Sequence, residues 1–197
     1  MRTDCAHCDK KDCYEGKDCF GLAQKAKREY EGFDLESMLV SGKIEAEHYM
    51  KLTRLEELIL YAKEMGMKKL GVAFCVGLSS EARTITDILQ KNAFEVHSVC
   101  CKVCGIDKAD LGVVKMHGDD ANEAVCDPIG QAMCLAEVGT EMNIAIGLCI
   151  GHDILFTKHS KAPVTTLIVK DRVLAHNPIG AIYSAYYKEN RFGLSED

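Results

Sequence analysis

The hydrophobic positions between residues 47 and 67 recur at steps of three and four. Within "EHYMKLTRLEELILYAKEMGM" the apolar stripe consists of Leu55, Leu58, Ile59, Ala62 and Met65. This spacing predicts an amphipathic helix. Gly66 is placed to end that helix, because glycine readily adopts the positive φ found after many helix C-termini.

The next segments alternate between short apolar runs and a helical pattern. "KKLGVAFCVG" predicts a buried strand, "SSEARTITDILQKN" predicts a helix capped by Ser79 or Ser80, and "FEVHSVC" predicts a second strand. A strand, a helix and a strand within about thirty residues indicate a βαβ unit. The two strands should therefore lie parallel, joined by a right-handed crossover.

The remaining patterns complete the predicted fold. "DPIGQAMCLAEVGT" predicts a helix, "MNIAIGLCIG" a third buried strand and "AIYSAYYKEN" a last helix. In "VTTLIVKDRVLAH" two β-rich runs meet at Lys170 and Asp171, which predicts an antiparallel hairpin. The fold class is therefore α/β, with a mainly parallel sheet, flanking helices and a C-terminal antiparallel hairpin.

The N-terminal segment shows neither the spacing of an amphipathic helix nor the apolar run of a buried strand. Residues 1–32 begin with few large apolar side chains and contain four cysteines, so we expect a small cysteine-rich metal-binding arm there. Residues 33–197 should form the α/β domain, with a second cysteine cluster at the carboxyl edge of its strands.

Composition and charge narrow the function classes. The 197 residues are 47% hydrophobic and 27% charged, with a formal net charge of −6, which fits an ordinary globular protein. An acidic chain without a Lys/Arg cluster favours neither nucleic acid nor an anionic membrane as a partner. The N-terminus has no apolar signal-peptide core, and no apolar run reaches the length of a membrane span. We therefore expect a cytoplasmic protein with reduced thiols, in which 11 cysteines indicate metal binding or catalysis.

The arm contains the pattern C-x2-C-x4-C-x5-C, formed by Cys5, Cys8, Cys13 and Cys19. A C-x-x-C step lets two thiolates reach one ion from a single turn, and two further cysteines complete a set of four sulfur ligands. Either tetrahedral zinc or an iron–sulfur cluster of the 4Fe-4S type accepts such a set. The alternative is a group of free surface thiols.

A second set of cysteines follows the predicted strands. We expect Cys101, Cys104, Cys126 and Cys149 to bind a metal ion or cluster, because each lies beside glycine, proline or a strand end on what should be one edge of the sheet. Cys75 and Cys100 lie in or at the end of apolar strands, where a cysteine is as often core packing as a ligand. Cys134 lies in the middle of a predicted helix and is assigned to the core.

His152 and Asp153 follow Cys149 directly and are the candidate catalytic residues. They could exchange protons with a substrate or tune a bound metal through hydrogen bonds. The alternative for Asp153 is a structural one, since an aspartate at that position can cap the helix that follows.

Five segments of the chain together resemble a known family. These are "FCVGLSSEA", "VCCKVCGIDK", "CDPIGQA", "GLCIGHDILFTKHSKAPVTTLIVKDRVLAHNP" and the four-cysteine arm. They are similar to a prokaryotic family of unknown function whose members are described as predicted metal-binding, cysteine-rich proteins. The chain has Asp127 where asparagine is expected in that pattern. The resemblance implies metal binding and specifies no reaction.

Three functions are compatible with these features. The first is a metal-binding, iron–sulfur protein with two cysteine sites. The second is an iron–sulfur sulfurtransferase or desulfurase, in which an open cluster iron takes up sulfur from a small sulfur-containing substrate or works with a redox partner. The third is a non-catalytic binding module organised by zinc.

Overall fold

The computed structural model of the chain describes residues 3–118 and 120–194. The chain divides into two compact units, Met1–Lys51 and Leu52–Asp197. The sequence placed residues from 33 onward in the α/β domain, whereas the helix Gly32–His48 belongs to the first unit. None of the helices within the described ranges is long and apolar enough to cross a membrane.

The first unit contains two 3-10 turns, Cys5–His7 and Asp12–Glu15, followed by helices α1 (Ala23–Glu29) and α2 (Gly32–His48). The Asp18 carboxylate accepts hydrogen bonds from the backbone N–H groups of Leu22 and Ala23, at 3.1 and 2.8 Å, and so fixes the start of α1. No residue from 3 to 31 is buried. This segment therefore gains little stabilisation from a hydrophobic core.

The second unit is built on a four-stranded sheet in the order β2-β1-β3-β4. Its strands are β1 (Lys69–Phe74), β2 (Glu95–Cys100), β3 (Met142–Ile146) and β4 (Val164–Ile168). Every pair of neighbouring strands is parallel. The predicted α/β class and its βαβ unit are confirmed. All three predicted strands are present, and β1 and β3 are the buried ones.

Helices cover the sheet on both faces. They are α3 (Arg54–Glu64), α4 (Ser79–Lys91), α5 (Pro128–Glu137) and α6 (His152–His159). A further short helix, α7 (Ile179–Tyr183), lies C-terminal to β4. Side chains alternate along each strand, so Leu70 and Val72 pack with α3 and α4, while Ala73 packs against Leu135 of α5 and Phe156 of α6. When helices cover both faces of a parallel sheet, side chains that contact ligands lie at the carboxyl ends of the strands.

The prediction of a C-terminal antiparallel hairpin is wrong. After β4, which pairs in parallel with β3, residues 172–176 form a turn. The Asp171 carboxylate accepts hydrogen bonds from the backbone N–H groups of Val173 and Leu174 at 2.9 and 2.8 Å, which removes those groups from any strand ladder. Ala175 and His176 both have positive φ, which also breaks an extended conformation.

Candidate thiol site at the sheet edge

Three cysteines follow the ends of parallel strands at one edge of the sheet. Cys75 comes directly after β1, Cys101 directly after β2, and Cys149 three residues beyond the end of β3. The backbone holds these segments together beyond the regular ladder. The N–H of Cys75 donates to the carbonyl of Ile146 at 3.1 Å, and the N–H of Cys101 donates to the carbonyl of Phe74 at 2.9 Å.

Cys126 reaches the same edge from a long connection between β2 and α5. The N–H of Asp127 donates to the carbonyl of Cys101 at 2.7 Å, which fixes the backbone next to Cys126. The side chains of Cys101 and Cys126 are hydrogen-bonded to each other. We call Cys75, Cys101, Cys126 and Cys149 the sheet-edge thiol site.

Cys101 and Cys126 have opposite acid–base behaviour. The hydrogen bond from Cys101, with a further contribution from the Lys102 ammonium, lowers the pKa of Cys126 to about 5, although burial opposes this shift. The same hydrogen bond to Cys126, together with burial, raises the pKa of Cys101. The lowered pKa favours the thiolate form of Cys126, and the raised pKa favours the protonated form of Cys101. The buried sulfur of Cys101 also accepts a hydrogen bond from the N–H of Val76 at 3.3 Å.

Two cations lie at this site, and sequence reasoning identified neither of them. The guanidinium of Arg172 donates to the sulfur of Cys149 at 3.0 Å and is within electrostatic range of Cys75 and Cys126. The hydrogen bond to Cys149 raises the pKa of Arg172. Lys102 donates to the carbonyl of Ala124 at 2.6 Å, which holds its ammonium beside Cys126. The position of Lys102 next to Cys101 in the sequence indicates a cation close to the thiols. The position of Arg172 gives no such indication, because its segment was predicted to form a hairpin.

Gln131 of α5 fixes the strand ends that carry the thiols. Its side chain is fully buried, and its Nε2 donates to the carbonyl oxygens of Phe74 and Val99 at 3.2 and 2.8 Å. These two residues directly precede Cys75 and Cys100. The Oε1 atom of Gln131 has no partner. The two carbonyl acceptors determine which way the amide faces, because only the NH₂ group can donate to them.

Cys104 does not join the other predicted ligands. It is exposed, its thiol is hydrogen-bonded to Asp127, and it is within electrostatic range of Cys134. The hydrogen bond to Asp127 raises the pKa of Cys104. Of the predicted set, Cys101 and Cys126 are therefore hydrogen-bonded to each other, Cys149 is hydrogen-bonded to Arg172, and Cys104 turns away to Asp127. Cys100 is the half-buried last residue of β2.

The candidate catalytic residues have different surroundings. His152 begins α6 and is within electrostatic range of Cys126, where its positive form lowers the pKa of that thiol. Asp153 accepts a hydrogen bond from the neighbouring N–H of Ile154 at 2.8 Å. The N-cap of α6 is Gly151, so Asp153 lies inside the first turn rather than at the cap. Asp127, in contrast, is the N-cap of α5 and accepts from the N–H of Gly130 at 2.8 Å.

The four thiols of the arm are all exposed. The N–H of Cys8 donates to the carbonyl of Cys5 at 3.2 Å, which closes a tight turn between the first two cysteines, and Cys19 donates to the carbonyl of Lys17 at 3.7 Å. Across residues 3–118 and 120–194, no three His, Cys, Asp or Glu side chains stand in an arrangement that could hold a metal ion. Metal binding at either set of cysteines would thus require their side chains to move.

The sheet-edge site offers two kinds of chemistry. A thiolate next to a thiol donor and two cations is an activated sulfur nucleophile, because the thiolate is the reactive form of cysteine. The same thiolates are strong ligands for soft metals.

The comparisons with known proteins place the chain in a family. The family whose description is "Protein of unknown function (DUF1847)" matches residues 16–167, a range that includes all four sheet-edge cysteines and, of the arm cysteines, only Cys19. An uncharacterized protein of Methanocaldococcus jannaschii is 57% identical over 185 residues, which cover 93% of this chain and 95% of that relative. No solved structure matches the chain. The chain belongs to the DUF1847 family of proteins of unknown function.

Proposed function

We propose that the protein binds a metal centre, an iron–sulfur cluster or zinc, through the sheet-edge thiol site, with a second metal site in the N-terminal arm. The observation that carries the proposal is the hydrogen-bonded pair of Cys101 and Cys126 at the carboxyl edge of a parallel sheet, with Cys75 within electrostatic range of Cys101. Cys149 is linked to this pair through Arg172, which donates to Cys149 and is within electrostatic range of Cys126. Ligands of α/β proteins bind at this edge.

The four cysteine sulfurs of the sheet-edge thiol site are ligands that soft metals prefer. Four cysteine sulfurs can complete a zinc site or a 4Fe-4S cluster. Four thiolates carry more negative charge than either group neutralises, and Arg172 and Lys102 offset the excess. Metal binding would displace the proton that Cys101 shares with Cys126, since ligating thiols are deprotonated. A bound centre would supply electron transfer or, with an open coordination position, a Lewis acid.

The arm supports a second site for a different reason. Its four cysteines lie in a segment without a buried residue, so packing cannot account for a fixed conformation. Small segments of this kind are commonly ordered by a metal, whose binding energy replaces that of a core. The ligands of this second site would be Cys5, Cys8, Cys13 and Cys19.

A second function, sulfur transfer, is favoured by the state of Cys126. This half-buried thiolate has Lys102 as a neighbour and Arg172 within electrostatic range. It could attack the outer sulfur of a small persulfide substrate, hold that sulfur as a cysteine persulfide and release the thiolate of the substrate. The adjacent Cys101 thiol could donate its proton to the departing group. His152 is the second candidate proton donor. This function needs the Cys126 thiolate but not a full set of metal ligands.

Metal and acid-labile sulfide analysis after purification without oxygen tests the proposal. The expected result is stoichiometric iron with sulfide, or stoichiometric zinc without it, divided between two sites. Replacing any one sheet-edge cysteine by serine should remove the metal of that site and leave the arm site loaded. Cys104→Ser is the matched control and should retain both sites. A protein that contains no metal, but whose Cys126 accepts sulfur from a persulfide donor, would overturn the metal proposal in favour of sulfur transfer.

A further inference from the structure

The sulfur of Cys104 rests on the first turn of α5. A Cβ atom built on Gly130 would lie 2.5 Å from Cys104 Sγ and closer still to the Asp127 carboxylate. Cβ atoms do not approach other atoms so closely, so Cys104 occupies the space that a side chain at position 130 would need. Glycine is unfavourable inside a helix, but here its missing side chain makes room for the thiol.

Cys134 lies on the same face of α5, one helical turn further. Residues four apart on a helix have Cβ atoms about 5–6 Å apart. Helical side chains also lean toward the N-terminus, so the half-buried Cys134 side chain is directed back toward Gly130 and the thiol above it. Cys104 is within electrostatic range of Cys134, in agreement with this placement.

We propose that Cys104 and Cys134 form a reversible disulfide, a redox-modification site separate from the sheet-edge thiol site. Cys104 is exposed and is the last residue of its turn, three positions from the buried Cys101, so a small disulfide can reach its thiol from solvent. A change of side-chain rotamer at Cys134 and a small shift of this turn bring the two sulfurs to a bonding distance of about 2.05 Å.

The oxidant is a low-molecular-weight disulfide. The thiolate of Cys104 attacks one of its sulfurs, which forms a mixed disulfide and releases one thiol. The thiolate of Cys134 then attacks the Cys104 sulfur, forms the Cys104–Cys134 bond and releases the second thiol. Two cysteines are oxidised, the small disulfide is reduced to two thiols, and each cysteine proton leaves with a released thiolate.

The bond would fix the turn after β2 to α5. This turn carries Cys101 at its start, and α5 begins directly after Cys126 and Asp127. Oxidation would therefore tie together the two segments that supply the hydrogen-bonded pair of the sheet-edge site. Only thiol chemistry at Cys104 and Cys134 is needed, so the inference holds whether or not a metal binds elsewhere.

Treatment of the full chain with oxidised glutathione tests the inference, with peptide mapping under non-reducing conditions. The expected product links the peptides that contain Cys104 and Cys134, is lighter by two hydrogens than the separate peptides, and disappears on addition of dithiothreitol. Cys134→Ser should instead accumulate glutathione on Cys104, because the second attack is lost. Cys104→Ser should abolish the linked peptide.

Gly130→Ala supplies an independent variant, because the new Cβ must displace both the Cys104 sulfur and the Asp127 carboxylate that binds it. The higher helix propensity of alanine offsets part of the disturbed cap. We expect it to form the linked peptide several-fold more slowly, with an unchanged circular dichroism spectrum. A linked peptide that joins Cys104 to Cys101 or Cys126, or a Cys104 that stays reduced or carries only glutathione in the unmutated chain, would overturn the proposal.

Discussion

The side chains of Cys101 and Cys126 are hydrogen-bonded to each other, and this contact lowers the pKa of Cys126 while it raises the pKa of Cys101. Cys101 is buried beneath the N–H of Val76, while Cys126 is half-buried next to Lys102. The pair consequently combines a proton donor with a charged sulfur at one edge of the sheet. This relationship determines how the site should respond to pH.

In the metal-free protein, alkylation of Cys126 by iodoacetamide should stay near its maximum rate down to a pH of about 5. Below that pH the rate should fall about tenfold for each pH unit, because only the thiolate reacts. Cys101→Ala removes the main cause of the lowered pKa, so the midpoint should rise toward about 8.5. Rates at individual cysteines can be followed by mass spectrometry.

Lys102→Met should raise the same midpoint by a smaller amount, because its hydrogen bond is the weaker cause. Cys104→Ala should leave it unchanged, since Cys104 contacts Asp127 instead. A midpoint for Cys126 that stayed the same in Cys101→Ala would contradict the assignment of the shared proton.

The sequence predicted the fold more fully than the site. Apolar runs and a stripe of helical period are local patterns, so the strands β1, β2 and β3 and the helices that pack on them could be recognised from the sequence. The hairpin could not be judged this way. Whether a hairpin forms depends on whether the Asp171 carboxylate accepts hydrogen bonds from the N–H groups of Val173 and Leu174. The residue pattern alone does not distinguish such a turn from a turn between two strands.

For the site, the sequence predicted which cysteines follow strand ends, but not which way their side chains point. Strand order places Cys101 and Cys149 at one edge, but the direction of a thiol in a loop depends on tertiary partners. Cys104 follows Cys101 by three residues and yet turns toward Asp127. Arg172 reaches Cys149 across 23 positions of the chain, a contact that no local pattern encodes.

Arg172→Gln should weaken retention of the sheet-edge metal by about 10–100-fold, the usual effect of losing a group that supports a metal ligand. The variant loses the hydrogen bond to Cys149 and the charge that offsets the thiolates. Competition with a chromophoric chelator measures the change. Arg83→Gln, on the exposed side of α4, is the matched control and should bind metal normally. Equal affinities for the two variants would exclude a supporting role for Arg172.

Gln131→Glu should destabilise the second unit by at least about 1–3 kcal/mol at neutral pH, because a buried carboxylate cannot donate to the carbonyl groups of Phe74 and Val99. Burial raises the pKa of such a carboxyl group, so the penalty applies above that pKa and diminishes as the pH falls through it. Urea unfolding of the variant and the unmutated chain at matched pH values gives the difference. Gln90→Glu, exposed on α4, should change stability by less than about 0.5 kcal/mol. A Gln131→Glu penalty that did not depend on pH would contradict the proposed cause.

The arm should depend on metal for its order, whereas the α/β unit should not. Residues 3–31 contain no buried side chain, so ligation at Cys5, Cys8, Cys13 and Cys19 would supply the ordering energy. Addition of a chelator should therefore expose roughly the first 20 residues to limited proteolysis, while the second unit, which has hydrophobic clusters on both faces of its sheet, stays intact. Mass spectrometry of the fragments locates the cuts. A variant with all four arm cysteines replaced by serine should be cut equally fast with and without chelator. If the chelator caused the second unit to be degraded together with the arm, both would depend on metal for their structure. The prediction that only the arm depends on metal would then be wrong.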